Sequence, residues 1–190
     1  MRSARITPKA APHQITTERL VLRKPRPDVD AFQAFAAVQA DRERLARWLP
    51  WVPRIQSEAD ERAFLEQAVR WWDQAEQFHW LIFTKDTYTY LGMVGGHDLQ
   101  WTNAVAEIGY WLTSDGVGHG YMTEAVRAIE QCLFQMGFFR VEIQCAALNT
   151  RSAAVAHRLG YKPEGRLRSN RSHDGLRDDT LVFGRLASDA

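Results

Sequence analysis

The sequence is poor in several things, and each shortage removes a class of protein. It has two cysteines in 190 residues, Cys132 and Cys145. Two cysteines make no disulfide framework, they lack the spacing of a zinc or redox pair, and they suit a reducing cytosol. The six histidines (His13, His79, His97, His119, His157, His173) are scattered, with no H-x-x-x-H and no neighbouring cysteine. No metal site is expected from such a pattern. No apolar run approaches the ~20 residues of a membrane span, and the opening MRSARITPKAAPHQ has no apolar stretch of the kind a secretory signal needs. Charge of one sign is missing too. Lys plus Arg is 24 and Asp plus Glu is 23, a net +1, so no general field draws in nucleic acid or an acidic membrane. Repeats and low-complexity segments are absent.

What is present is ordinary for a globular domain: 45% hydrophobic and 25% charged residues. One domain from about residue 16 onward is expected, with residues 1–15 as a loose tail. ERLVLRK (18–24) reads as an opening strand ended by Pro25 and Pro27. Asp28 reads as the cap of a helix running to about Arg47, on the spacing of Val29, Phe32, Phe35 and Val38. WLPWVPRI (48–55) reads as a structured loop. Ser57 and an acidic first turn open a second helix carrying Phe64, Leu65, Ala68 and Trp72.

Strands follow at 79–84 and 90–99 as a hairpin, and at 104–112. A glycine-rich link, Gly116-Val117-Gly118-His119-Gly120, leads into a helix in which Met122, Ala125, Val126, Ile129, Leu133 and Met136 step by three and four. Gly137 suits its stop. RVEIQC (140–145) alternates with period two. A short helix spans Thr150 to Leu159, and residues 165–186 read as a closing hairpin whose last strand comes from DGLRDDTLVFGRL. The strand–helix–strand unit at 104–145 favours one parallel pairing inside a mostly antiparallel sheet.

The glycine turn sits between a strand and a helix, where free amides can hold an anion. It fits neither G-x-G-x-x-G nor a Walker A loop. The segment AEIGYWLTSDGVGHGYMTEAVRAI, the strand after it, then Asn149-Thr150-Arg151-Ser152 and Arg158-Leu159-Gly160-Tyr161, resembles the GNAT superfamily of acyl-CoA-dependent N-acetyltransferases. Within it the chain is most similar to the RimJ/RimL branch, over residues 18–186. The loop WLPWV before an acidic helix start is also typical of that branch.

The resemblance implies an α+β GNAT fold, with about six or seven strands in one mixed, mostly antiparallel sheet and about four helices. It implies acetyl-CoA as acyl donor. The pyrophosphate would sit on Val117, Gly118, His119, Gly120 and Tyr121, leading into Met122 and Thr123. Leu112 and Thr113 would lie beside the thioester and pantetheine, and Asn149 would contact the pantetheine arm. Family members often carry Gln or Arg three residues before the first motif glycine and a basic residue just before it. Here Asp115 and Val117 stand there, and Asp115 would repel a pyrophosphate unless it points away.

Transfer to an amine needs a neutral amine, a stabilised oxyanion and a protonated or tolerated thiolate. Glu107 is the candidate base, on one strand face with Val105, Gly109 and Trp111. Many relatives carry a tyrosine on the helix after Asn149 as general acid. None lies between Asn149 and Leu159, so Ser152 is the available hydroxyl. Cys145 is expected in the core, His119 at phosphate or in solvent, and His97 beside the acceptor groove. Trp48, Trp51 and Trp111 would wall the acceptor site. The expected acceptor is a protein N-terminal α-amine, ribosomal or otherwise. The alternatives are a polyamine or aminoglycoside drawn by Glu58, Asp60 and Glu61, and an acyl-CoA-binding module without transfer. Neither nucleic acid nor membrane is an expected partner. A homodimer is compatible with the tryptophan content.

Overall fold

A computed structural model describes residues 6–173 and 176–189 of the chain. Among the described residues, eight strands form one sheet: β1 (Gln14–Thr16), β2 (Leu20–Arg23), β3 (Phe78–Thr84), β4 (Tyr90–Gln100), β5 (Val105–Leu112), β6 (Arg140–Ala146), β7 (Lys162–His173) and β8 (Leu176–Leu186). Their order is β1-β2-β3-β4-β5-β6-β8-β7. Five helices join them: α1 (Pro27–Ala40), α2 (Arg42–Ala46), α3 (Glu58–Asp73), α4 (Tyr121–Met136) and α5 (Thr150–Arg158). No helix among the described residues is long and apolar enough to cross a membrane.

The period-two pattern splits the strand side chains between two layers. Ala106 and Ile108 of β5 join Val126, Ile129 and Leu133 of α4 and Val155 of α5 on one face. Trp111 of β5 joins Leu65 of α3, Ala34 and Val38 of α1 and Met93 of β4 on the other. The two layers trap the sheet, and the elements around β5 and β6 carry the site.

Some local expectations change. The first helix does not run to Arg47 but breaks at Asp41 (φ −113°, ψ 14°), which separates α1 from α2. The Asp41 carboxylate is used elsewhere: Oδ2 accepts from Arg44 Nη2 at 2.8 Å and from the Ser114 amide at 2.6 Å. Asp28 is not the cap of α1. Pro27 takes the first helical position, where its missing N–H costs nothing, and Asp30 Oδ2 accepts from the Arg26 amide at 2.6 Å. The start of α3 is as expected, with Ser57 and Asp60 forming a capping box.

The N-terminal stretch expected to be loose carries β1, paired with β2. Ala11 is buried and Trp80 Nε1 donates to Pro12 O at 3.1 Å, so apolar contact holds these residues against the sheet. The closing hairpin is longer than expected, beginning at Lys162. Its Asp174 and Gly175 lie outside the described residues.

Beneath α1, Arg23 and Asp30 form a two-pronged ion pair at 2.6 and 2.8 Å, and both side chains are almost wholly buried. Removing one partner strands the other charge in the interior. Asp30→Ala is expected to cost about 3 kcal/mol in urea unfolding, much of it recovered in Arg23→Met/Asp30→Leu. Equal losses in the single and double variants would show that packing, not the stranded charge, sets the cost.

Candidate active site

Strands β5 and β6 run parallel but pair over only three residue pairs, from Val105–Arg140 to Glu107–Glu142. β5 continues to Leu112 and β6 to Ala146 without pairing to each other. The opened wedge holds a cavity of about 380 Å³, floored by the starts of α4 and α5 and closed on the other side by α2 and Trp48.

The glycine turn lines this cavity. Gly118 (φ 94°) and Gly120 (φ 78°) both occupy the left-handed region that favours glycine, and Gly120 is the cap from which α4 starts. Among the described residues, the amides of Gly118 through Thr123 find no acceptor. Six consecutive free donors at the positive end of a sixteen-residue helix, opening on a cavity, are a ready anion site.

Val117 lines the cavity, but its own amide is committed to Ser114 O at 3.1 Å, so it contributes side chain and not N–H. Leu112, Tyr121, Met122, Thr123, Asn149 and Ser152 also border the cavity. Thr113 and His119 do not. Thr113 turns the chain, its Oγ1 accepting from the Gly116 amide at 3.3 Å. His119 is exposed, with its ring stacked on Tyr121 at 5.5 Å. Asp115 is exposed and does not border the cavity.

Asn149 Oδ1 accepts from the Ser152 amide at 3.1 Å and caps α5. That leaves its NH2 group as the donor for a ligand carbonyl. Ser152 Oγ lies 2.9 Å from the Tyr110 hydroxyl, which also donates to Ser152 O at 3.2 Å. Burial raises Tyr110 well above the ordinary tyrosine range, so the phenol stays protonated. A tyrosine hydroxyl thus reaches the cavity from β5 rather than from α5.

Arginines also escape linear reading. Arg44, Arg151 and Arg158 border the cavity. Arg19 reaches the turn from the bend just before β2: Nη1 donates to His119 O at 2.9 Å, Nε meets Glu124 Oε2 at 2.7 Å, and the guanidinium lies over the Tyr121 ring. It thereby offsets Glu124, the one acid in the first turn of α4. Nothing in the spacing of the chain links residue 19 to residues 119–124.

Glu107 lies outside the cavity of the glycine turn, on the Trp111 face of β5, where it borders two further pockets. Gln144 Nε2 donates to its Oε2 at 3.0 Å, and His97 Nε2 lies 3.9 Å from its Oε1. The imidazole fits because residue 109 is glycine; a Cβ there would come within 2.7 Å of His97 Nε2. Burial first, then the charges of Asp98 and Glu142, push the Glu107 carboxyl up to about 7. His97, Asp98 and Glu107 bring three potential ligand atoms within 4.8 Å of one another. Trp48 and Trp111 border the cavity of the glycine turn, and Trp51 packs on Trp111 with centroids 6.0 Å apart.

Cys145 is buried in the core, and burial raises its thiol, so it is a weak nucleophile. The acidic residues of α3 do not border these pockets. Glu58 pairs with Arg62, Asp60 caps the helix and Glu61 is buried.

Fold and site together define an α+β transferase-type domain whose opened parallel pair presents an anion-accepting helix start. The match to the Acetyltransferase (GNAT) domain model spans residues 19–162, and the chain belongs to that family. It is 34% identical over 96 residues to a Bacillus subtilis (strain 168) protein named "Putative ribosomal N-acetyltransferase YdaF". That match spans 50% of this chain and 52%, about half, of the relative. It is 29% identical over 143 residues to the ribosomal-protein-serine acetyltransferase of Escherichia coli (strain K12), covering 75% of this chain and 79% of that one. In fold it is similar to the Microcin C7 self immunity acetyltransferase MccE, solved in complex with acetyl-CoA and AMP: TM-score 0.87, 23% identity, 93% of this chain and 98% of that chain.

Carbon-13 NMR of the Glu107 side chain is expected to give a titration midpoint near 7. A midpoint at the ordinary glutamate value of about 4.3 would mean that the carboxylate is freely hydrated.

Proposed function

We propose that the chain binds acetyl-CoA in the wedge between β5 and β6 and transfers the acetyl group to a primary amine, a protein N-terminal α-amine by preference. The observation that carries this is the run of free amides from Gly118 to Thr123 at the start of α4, opening on the 380 Å³ cavity. Two phosphates can be held there without side-chain charge. Acetyl-CoA, when bound, supplies an activated thioester carbonyl. The names of the B. subtilis and E. coli relatives favour a ribosomal-protein acceptor, and MccE with its bound acetyl-CoA supports the donor.

The chain's own groups then divide the work. Glu107, raised to about 7, takes the proton from the acceptor ammonium, through water where the two do not touch. The amine nitrogen forms the new amide bond as the carbon–sulfur bond breaks. When the Tyr110 hydroxyl donates to Ser152 Oγ in place of Ser152 O, the serine O–H is free to turn toward the departing sulfur. Asn149 offers its NH2 group to the pantetheine arm. Trp48 and Trp111 keep water from the reacting atoms.

Two rival readings lose ground. The acids expected to attract a polyamine are used in caps, pairs or the core. A module without transfer leaves the raised Glu107 and the Tyr110–Ser152 pair without a task. The two buried free thiols fit a reducing compartment, and we place the protein in the cytoplasm.

With Glu107 as the base, kcat/KM rises with pH through about 7 as the carboxyl loses its proton. Glu107→Gln is expected to lower kcat by about 10²- to 10³-fold, remove that limb of the profile and leave acetyl-CoA affinity unchanged. A variant that keeps the wild-type profile would take Glu107 out of the mechanism.

A further inference from the structure

The smaller of the two pockets beside Glu107, about 330 Å³, is bounded by Glu107, Gln144, Thr180, Asn170, Arg171 and Pro50. Its β7 wall is built by a break in the ladder. Leu167 pairs with Thr180 and Arg171 with Asp178, so β7 advances four residues while β8 advances two. The surplus bends around Ser169, a non-glycine residue in the left-handed region (φ 51°).

That conformation is fastened from both sides. The Ser169 amide donates to Asp179 Oδ1 at 2.8 Å, and Arg177 Nη1 donates to Ser169 O at 3.1 Å. Asn170 Nδ2 donates to Thr180 Oγ1 at 3.3 Å. A bulge re-aims the residues beside it, and a strained residue persists where its surroundings fix it. Here the bulge delivers Asn170 and Arg171 to the wall opposite Glu107.

The pocket therefore sets a carboxylate on one side and a guanidinium on another, with amide and hydroxyl groups between. Arg171 is close enough to favour the charged form of Glu107, against Asp98 and Glu142 on the far side. Asp178 faces Arg171 in register, and its Oδ1 also accepts from the Asp179 amide at 2.7 Å. A guanidinium offers a planar fork to a carboxylate and repels a second ammonium.

We propose that this pocket receives the first residue of the acceptor, and that Arg171 selects primary amines whose own residue bears a carboxylate, N-terminal Asp or Glu, over polycations. The inference rests on the transfer reading above, with Glu107 as the group that meets the amine.

The test uses the full chain, saturating acetyl-CoA, and peptides of one sequence that begin with Asp, Ser or Lys, with spermidine as the polycation. The wild type is expected to favour Asp over Lys by about 10-fold or more in kcat/KM, with spermidine poorest. Arg171→Glu should invert the Asp–Lys order at unchanged KM for acetyl-CoA, and Arg171→Lys should keep part of the preference. An unchanged thermal melt guards against misfolding of Arg171→Glu; if it misfolds, the ratio is read in Arg171→Gln, where the preference should vanish. Equal use of the peptides by the wild type, or the same order in the charge-reversed or neutral variant, overturns the selection by Arg171 and leaves the transfer reading standing. Acetyl-CoA binding with no amine acetylated overturns the transfer reading, and the pocket assignment with it.

Discussion

The site depends on where one strand pair stops pairing. β5 and β6 share three residue pairs and then part, each staying bound on its outer side to its own neighbour: β5 to β4 through Leu112, β6 to β8 through Ala146. The apolar face of α4 covers the paired end, and its N-terminus is left at the open end. Had the pairing continued, the wedge would be filled by ladder hydrogen bonds and the free amides would face a closed edge. The two candidate proton-handling groups divide along the same strand. Tyr110 points into the wedge, and Glu107 lies three residues away, about 10 Å of strand, on the opposite face.

Electrostatics follow from that geometry. A chain of net charge +1 offers no long-range attraction to a polyanion. Local dipoles supply it, and the surrounding charges are arranged not to oppose them. Glu124 is held by Arg19 and by Thr17 Oγ1 at 2.6 Å, and Asp115 is exposed and does not border the cavity. Asp41 is held below the usual carboxylate range, chiefly by Arg44. It joins the α1–α2 break to the Ser114 amide while Arg44 Nη2 donates to Leu112 O at 2.7 Å. The break in that helix is thus part of what fixes the end of β5.

Much of this was legible in the residues. The i, i+3, i+4 stripe of α4, the Ser57 cap and the glycine turn each follow from local rules, and the turn's place between strand and helix already suggested an anion. Glu107 and Trp111 fell on one face by simple alternation. What escaped reading depends on tertiary approach. Tyr110 carries no such signal, because the family pattern points to α5 for a hydroxyl, whereas β5 brings one to Ser152 across the wedge. Arg19 serves a turn a hundred residues away. Asp41 ends α1 for the sake of a contact with residue 114. β1 carries only one half-buried residue, Ile15, too short a run for a pattern to show. The bulge at Ser169 has neither glycine nor proline to announce it, since the Ser169 amide's bond to Asp179 and the bond from Arg177 to Ser169 O hold it instead.

The central claim is that an opened strand pair presents the free amides of α4 to an anionic cofactor. Residue-resolved amide hydrogen exchange, with and without saturating acetyl-CoA, tests it most directly. The account predicts fast exchange for Gly118 through Thr123 in the free protein and strong protection on binding. The Val117 amide, already bonded to Ser114 O, should change least in the turn. Protection that appears elsewhere while these six amides stay exposed would contradict it.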